Sequence, residues 1–195
     1  MTIRKPLFYR VVAAFGTLTV TISLTAGGFS SAFAENAVDN SLDSRFAALS
    51  QDGEGWRIAE SDILRAWSQS GAAPMDLLLQ RGEEALDSGD LAGAIGHLTA
   101  LTDHAPDFPA GWRARAEAYA MAGLTGPAMA DLARCLALEP REFQCLTRLG
   151  ALLEDSGDAD RALAAYQASL AIHPHQAEAQ DGRARILRDR EGQPV

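Results

Sequence analysis

The sequence is poor in the residue types from which β-sheets are built. Valine and isoleucine together number 12 among 195 residues, and seven of these 12 lie beyond residue 34. β-branched side chains are enriched in strands because they pack well on a pleated surface. Alanine (37 residues) and leucine (24 residues), both good helix formers, dominate instead. The composition therefore predicts an all-α protein.

Positive charge is also scarce. The chain has 17 basic and 26 acidic residues, a formal net charge of −9, and its only lysine is Lys5. Nucleic-acid binding needs a concentrated basic surface, so the charge balance argues against a nucleic-acid partner. A content of 47% hydrophobic and 22% charged residues is typical of a globular domain.

Motifs of common enzyme classes are missing. The sequence contains no G-x-x-x-x-G-K-[ST] loop, no H-E-x-x-H and no G-x-S-x-G. His173 and His175 flank Pro174, but without a carboxylate or cysteine at suitable spacing they would make a weak metal site. We expect these two histidines, and also His97 and His104, to lie solvated at helix ends. We expect no enzymatic activity, no cofactor and no metal.

Residues 1–34 have the pattern of a secretory signal peptide. Three basic residues within the first ten precede an apolar run over residues 11–29, and Ala32 and Ala34 form the A-x-A sequence that a signal peptidase recognises. We expect cleavage after Ala34 and a periplasmic or secreted bacterial protein. The alternative is an uncleaved anchor, because the run is long enough to span a bilayer. Only in that case would the protein be membrane-bound.

Removal of this segment would make the chain more acidic. The segment contains three basic and no acidic residues, so the remaining 161 residues have 14 basic groups, 26 acidic groups and a net charge of −12. All 14 basic groups are arginines. Their planar guanidinium groups are suited to bidentate contacts with carboxylates.

A period of 34 residues runs through most of the remaining chain, and such self-similarity is typical of repeat architectures. Five columns of similar residues share it: Pro106, Pro140 and Pro174; Gly89, Gly123 and Gly157; Ala94, Ala128 and Ala162; the small residues Gly82, Ala116 and Gly150; and the bulky residues Leu98, Leu132 and Tyr166. The period predicts three units, residues 75–108, 109–142 and 143–176.

Each column has a physical role in a helix hairpin. The glycines fall at the turn between two helices, where a left-handed residue is needed. The prolines follow the second helix and end it. The small residue in the first helix lets the second helix approach closely, and we expect it to meet the alanine column. Such a hairpin buries its apolar face only by stacking on a neighbour.

These units resemble the tetratricopeptide repeat family. The middle unit matches the family pattern at Trp112, Ala116, Tyr119, Ala128, Leu132 and Pro140. Arg81 and Arg115 depart from it, because the family usually has an apolar residue at their position. The resemblance implies a solenoid of helical hairpins, which by itself does not specify a function.

Helices are also predicted on both sides of the units. Two segments within an N-terminal extension, residues 35–74, have apolar residues at helical spacing, the second of them around Trp56 and Trp67. We expect this pair to cap the first unit by covering its exposed face. The two tryptophans either form the core of the cap or line a ligand slot. Residues 177–195 are predicted to form a polar terminal helix and tail that keep the array soluble.

Cys135 and Cys145 are the only cysteines. They lie near the end of one predicted helix and the start of the next, and export would place them in an oxidising compartment that favours a disulfide. The alternative is a pair of buried, small hydrophobic side chains. The spacing of ten residues excludes a C-x-x-C redox motif.

The resemblance also implies a place for a partner, because the first helices of tetratricopeptide units line a concave groove. The corresponding residues here are Asp76, Leu79, Glu83, Leu86 and Asp87; then Ala110, Arg113, Glu117, Ala120 and Met121; then Gln144, Thr147, Ala151, Glu154 and Asp155. The basic clamp with which the family grips a C-terminal carboxylate is absent, since Arg113 stands among six acids. Acids beside an apolar strip favour a protein or peptide with apolar anchors and positive charge. The alternative is that these residues are solvated helix faces.

The sequence therefore predicts a binding module without catalytic activity. We expect an adaptor or scaffold of the bacterial cell envelope. An assembly or maturation accessory, which presents an exported client such as an apocytochrome to an enzyme, would use the same groove. The sequence does not separate these two roles.

Overall fold

The computed structural model describes residues 42–192, and the regular secondary structure in this part of the chain is entirely helical. Helix α1 spans residues 42–49, α2 Gly55–Trp67, α3 Ala73–Asp87, α4 Leu91–His104, α5 Pro109–Met121, α6 Thr125–Leu138, α7 Phe143–Asp155, α8 Ala159–Ile172 and α9 Ala177–Glu191. The all-α prediction is confirmed. The predicted signal peptide lies outside the described residues. Each helix described here is too short or too polar to cross a bilayer.

Helices α3 to α8 form three stacked hairpins, α3 with α4, α5 with α6 and α7 with α8. Gly89, Gly123 and Gly157 lie at the three turns with φ between 73° and 81°, as the glycine column predicts. Asp90 and Asp158 begin α4 and α8 by accepting a hydrogen bond from the backbone N–H three residues later. The turn chemistry of each hairpin is therefore encoded locally.

The small residues of the first helices meet the bulky column of the second helices, not the alanine column. A Cβ added to Gly82 would lie 2.4 Å from Leu98 Cδ2, and one added to Gly150 would lie 2.7 Å from Tyr166 Cδ1. The alanines Ala94, Ala128 and Ala162 are fully buried. The expectation that small residues meet small residues was wrong, because the bulky side chain fills the space that the missing Cβ leaves.

Helix α9 extends the array beyond the third hairpin. Its Ala179 and Ile186 are buried in one core cluster with Tyr166, and a Cβ added to its Gly182 would lie 2.3 Å from Tyr166 Cζ. Most of its other residues are exposed and polar. The helix covers the last hairpin and leaves a polar outer face, as predicted for a terminal helix.

Arg115 occupies its normally apolar position through a paired and stacked guanidinium. Its Nε and Nη2 atoms donate to the two carboxylate oxygens of Asp131 at 2.7 and 3.0 Å, and Nη1 donates to Thr102 Oγ1 at 2.7 Å. The guanidinium also lies 4.9 Å from the ring centre of Trp112 and 5.6 Å from that of Tyr119. One arginine thus ties α5 to both α4 and α6.

The N-terminal helices α1 and α2 pack against the third unit. Leu49 of α1 and Ala59 and Ile63 of α2 share a small core with Phe143, the first residue of α7. The sequence placed this pair over the exposed face of the first unit, and the structure corrects that placement. The periodicity of α2 identifies its apolar face, but the large aromatic side chain that this face covers comes from the third unit.

Gly150→Ala is expected to lower the free energy of unfolding by about 1–3 kcal/mol, because the new Cβ would overlap the buried ring of Tyr166. The matched control is Gly96→Ala in α4, where an added Cβ has no atom within 4 Å. This control should raise stability by up to about 1 kcal/mol, since alanine is the better helix former. Urea unfolding followed by circular dichroism measures both changes. Equal effects of the two substitutions would contradict the close approach at Gly150.

Candidate protein-binding surface

Helix α2 lies over the inner face that the first helices of the hairpins form. A cavity of about 390 Å³ separates Glu60 of α2 from residues of α5, α7 and α9. A second cavity of about 330 Å³ lies between Trp67 of α2 and residues of α3, α5 and α7, among them Gln144. The inner face is therefore bridged by a helix, with unfilled space beneath it.

Four of the predicted groove residues line these cavities, namely Glu83, Arg113, Glu117 and Thr147. Further lining residues were not expected from the sequence, and they include Glu60, Phe143, Arg148, Gln176 and Glu178. The family pattern does not mark Arg148. Gln176 and Glu178 lie at the start of the terminal helix, which the sequence assigned to solvation alone.

The other predicted groove residues lie away from the cavities. Leu79 is buried in the core at 2% exposure, while Leu86, Ala120 and Ala151 are half-buried. The exposed members are the last residues of their helices: Asp87, Met121 and Asp155. Most of the expected apolar strip belongs to the core, and Met121, which is 51% exposed, is its one large exposed side chain within the described residues.

Asp76 holds the connection between α2 and α3. Its Oδ1 atom accepts hydrogen bonds from the backbone N–H of Ser70 at 2.7 Å and from the Ser70 hydroxyl at 2.6 Å. These bonds to Ser70 lower the pKa of Asp76 below its usual value. Asp76 thus orients the chain that leaves α2, and its charge is occupied within the protein.

Three ion pairs join the first helix of each unit to the next helix along the inner face. Glu83 Oε1 lies 3.4 Å from Arg113 Nη2, and Glu117 Oε2 lies 2.6 Å from Arg148 Nη2. Glu154 accepts two hydrogen bonds of 3.0 Å from Arg185 of α9, which lower its pKa. Half of the six groove acids are therefore already paired with arginine, so the inner face is less negative than its sequence indicates.

Four residues around the start of α7, which we call the α7 surface, receive the N-terminal helices: Arg141, Phe143, His173 and His175. The ring centres of Trp67 and Phe143 lie 5.2 Å apart. Trp56 stacks on His175 at 4.7 Å, with 11° between the ring planes, and lies 5.5 Å from His173. Both tryptophans thus form the core of the contact between the N-terminal helices and the third unit.

Polar contacts surround these rings. Arg141 Nη1 donates to Asp43 Oδ1 at 2.5 Å, and the same guanidinium lies 4.2 Å from the ring centre of Phe46. His173 Nε2 lies 3.1 Å from Glu60 Oε1 of α2. Charge and aromatic contacts therefore act together to fix α1 and α2 on the α7 surface.

The contact leaves buried polar atoms without good partners. His173 is fully buried, which contradicts the expectation of a solvated helix end, and its Nδ1 atom has no hydrogen-bond partner. Trp67 Nε1 is likewise buried and unpaired. Burial lowers the pKa of His173, and the carboxylate of Glu60 opposes this shift. The helix pair is thus held by a contact whose polar groups are incompletely satisfied.

A disulfide closes the turn that precedes the α7 surface. Cys135 and Cys145 are bonded, fully buried and 6.8 Å apart at their Cα atoms. The sequence left this bond open as one of two alternatives. These sulfurs and a Glu142 carboxylate oxygen lie within 4.8 Å of one another, but sulfurs that are bonded to each other are not the thiolates that ligate metals.

Glu142 is buried beside the disulfide. Its Oε2 atom accepts a hydrogen bond from the backbone N–H of Cys145 at 3.0 Å and lies 3.7 Å from Cys135 Sγ, while Oε1 has no partner. Burial raises the pKa of Glu142 to about 7, although the positive charge of Arg113 opposes the shift. Glu142 therefore caps α7 as a carboxyl group that titrates near neutral pH.

Known proteins with this architecture are similar to the chain. No family model matches it. A TPR repeat-containing protein of Rhizobium etli is 28% identical over 142 residues, which are 72% of this chain and 70% of that protein. The first TPR of Spaghetti (RPAP3), solved with an HSP90 peptide, has a TM-score of 0.58 and 23% identity over 60% of this chain and 94% of its own. The Sgt2 TPR domain from Aspergillus fumigatus has a TM-score of 0.59 and 23% identity over 64% and 87%.

The stacked hairpins, the 34-residue period and these similarities define a helical repeat protein. The chain is a tetratricopeptide repeat protein. At 23% identity the two solved structures show the shared fold alone. The inner face is therefore the surface on which a functional proposal has to be built.

Glu142→Gln is expected to remove a pH dependence of stability. The folded protein keeps the Glu142 proton up to about pH 7, whereas the unfolded chain releases it near 4.5. Stability is therefore lost as pH rises through this window, by up to about 3 kcal/mol. Glutamine keeps the oxygen that accepts from Cys145 and has no charge, so the variant should be the more stable protein at pH 8. Urea unfolding at pH 5 and pH 8 measures the difference, and parallel pH profiles of both proteins would contradict it.

Proposed function

We propose that the protein is a non-catalytic adaptor that binds another protein or peptide on the inner face of its helical array. The observation that carries this proposal is α2 itself, a helix lying across the inner face above two cavities. The first TPR of Spaghetti (RPAP3), which has the same fold, was solved with an HSP90 peptide. A concave surface that accommodates one segment of chain is suited to hold another.

The proposed partner has apolar anchors and positive charge. Asp87, Met121 and Asp155 are exposed at the ends of their helices and form an acidic rim with one large apolar side chain. The floor of the face is charge-paired, for example through Glu117 and Arg148. Positive residues of the partner would therefore meet the rim, and its apolar anchors would enter the cavities.

We place this activity in the bacterial cell envelope. The signal-peptide pattern of residues 1–34 supports export, and a buried disulfide between Cys135 and Cys145 is a feature of proteins that fold in oxidising compartments. An assembly or maturation accessory for an exported client would use the same face and the same location.

A photo-crosslinking amino acid at position 117, in living cells, tests this proposal. Glu117 lines the larger cavity and its side chain is 31% exposed. We expect one or a few discrete protein adducts, identified by mass spectrometry. The matched control is position 133, an exposed alanine on the second helix of the middle hairpin. The same adducts in equal yield from both positions would overturn the inner face as the binding surface.

A further inference from the structure

We propose that the α7 surface is a binding site for a helix of the partner, and that α1 and α2 occupy this site in the free protein. The inference rests on the proposed function and names the part of the inner face that the partner uses. It also specifies the chemistry of the partner: a helix with an aromatic residue and, four positions later, a carboxylate. Binding then requires the N-terminal helices to move off the third unit.

The N-terminal helices are attached in a way that permits this movement. They contact the third unit through side chains, and their shared core contains four fully buried or nearly buried residues, Leu49, Ala59, Ile63 and Phe143. Five residues, 68–72, connect α2 to α3, and among them Gly71 has a φ of 80°. The three hairpins and α9 have separate core clusters of their own. Displacement of α1 and α2 would therefore leave the cores of the hairpins intact.

The contact itself is incompletely matched. Cavities of about 390 and 330 Å³ remain under α2. His173 Nδ1 and Trp67 Nε1 are buried without hydrogen-bond partners. Native interiors are closely packed and their buried polar groups are normally paired. A contact that lacks both properties is one that a better-fitting segment can replace.

The face that α2 turns to the α7 surface defines what such a segment must offer. Trp56 stacks on His175, and Glu60, one helical turn later, lies 3.1 Å from His173 Nε2. Ile63 packs on Phe143, and Trp67 covers the same ring at 5.2 Å. These residues recur at helical spacing on one face. A partner helix with the same pattern would reproduce each contact, and its positive charge would lie toward the acidic rim.

The exposed isoleucine of α2 provides a matched control for the buried one. Ile58 is 69% exposed, whereas Ile63 is fully buried against Phe143. Ile63→Asp places a charge in the contact and should release α2, while Ile58→Asp adds the same charge on the same helix without touching the α7 surface. Both substitutions leave Arg141, Phe143, His173 and His175 unchanged.

The probe is a fluorescent synthetic peptide of residues 54–70, titrated into the full-length protein and followed by anisotropy. We expect weak binding to the wild-type protein, because the tethered α2 competes at a high effective concentration. Ile63→Asp should bind the peptide at least about tenfold more tightly, because the fraction of molecules with a vacant site rises. Ile58→Asp should match the wild type. Adding Phe143→Ala to Ile63→Asp should abolish the gain.

Several results would overturn the inference. One is an unchanged affinity in Ile63→Asp, and another is an equal gain in Ile58→Asp. Loss of cooperative thermal unfolding in Ile63→Asp would show that α1 and α2 are an integral part of the fold. Trp67→Ala, a milder change in the same contact, should reproduce a smaller gain in affinity.

The chemistry of the partner has its own control. A peptide with alanine at Trp56 and glutamine at Glu60 should bind Ile63→Asp at least about tenfold more weakly, and equal binding would overturn the aromatic–carboxylate requirement. A dimer of the wild-type protein formed by exchange of α1 and α2 would assign the site to a second copy of the chain instead. Discrete crosslinks at position 117 without peptide binding would leave the proposed function standing and remove this inference alone.

Discussion

Burial of Phe143 at the start of α7 is the contact on which the arrangement of the inner face depends. The residue is 1% exposed, and its backbone oxygen accepts a hydrogen bond of 2.9 Å from Ser169 Oγ. Just before it, Glu142 caps α7, and the disulfide fixes the turn from α6. The ring is therefore presented at a defined place, where it would be exposed to water if α1 and α2 did not cover it. The position of α2 across the inner face follows from this one requirement.

Once α2 lies there, the remaining features of the inner face acquire a common meaning. The ion pairs Glu83–Arg113 and Glu117–Arg148 reduce the charge of the floor, so that a helix can lie over it. Exposed pairs of this kind contribute little to stability, and their effect is on the charge that an approaching segment meets. The cavities and unpaired polar atoms under α2 show that the chain does not fill its own groove completely. Folding and binding thus draw on the same surface.

The repeat array could be predicted from the sequence because its determinants are local and periodic. Glycine at 89, 123 and 157 requires a turn wherever it stands, and the spacing fixes the hairpins. The position of α2 could not be predicted, because amphipathic spacing reveals which face is apolar and not which unit it meets. The same limit applies to the candidate site. Arg113, Glu117 and Thr147 lie in family positions, but Arg148 and Glu178 reach the cavity from outside the pattern. The pairing of Arg115 with Asp131 likewise depends on the geometry of two different helices.

The central claim is that α2 covers Phe143 on the third unit, and a nuclear Overhauser measurement in solution tests it most directly. The side chains of Ile63 and Phe143 belong to one buried cluster, and Trp67 lies against the same ring. With labelled isoleucine methyl groups and phenylalanine rings, the account predicts cross-peaks between the Ile63 methyl protons and the Phe143 ring. It also predicts that Ile58, which is 69% exposed, has none. Cross-peaks from Ile63 to side chains of α3 and α4, with none to Phe143, would contradict the account.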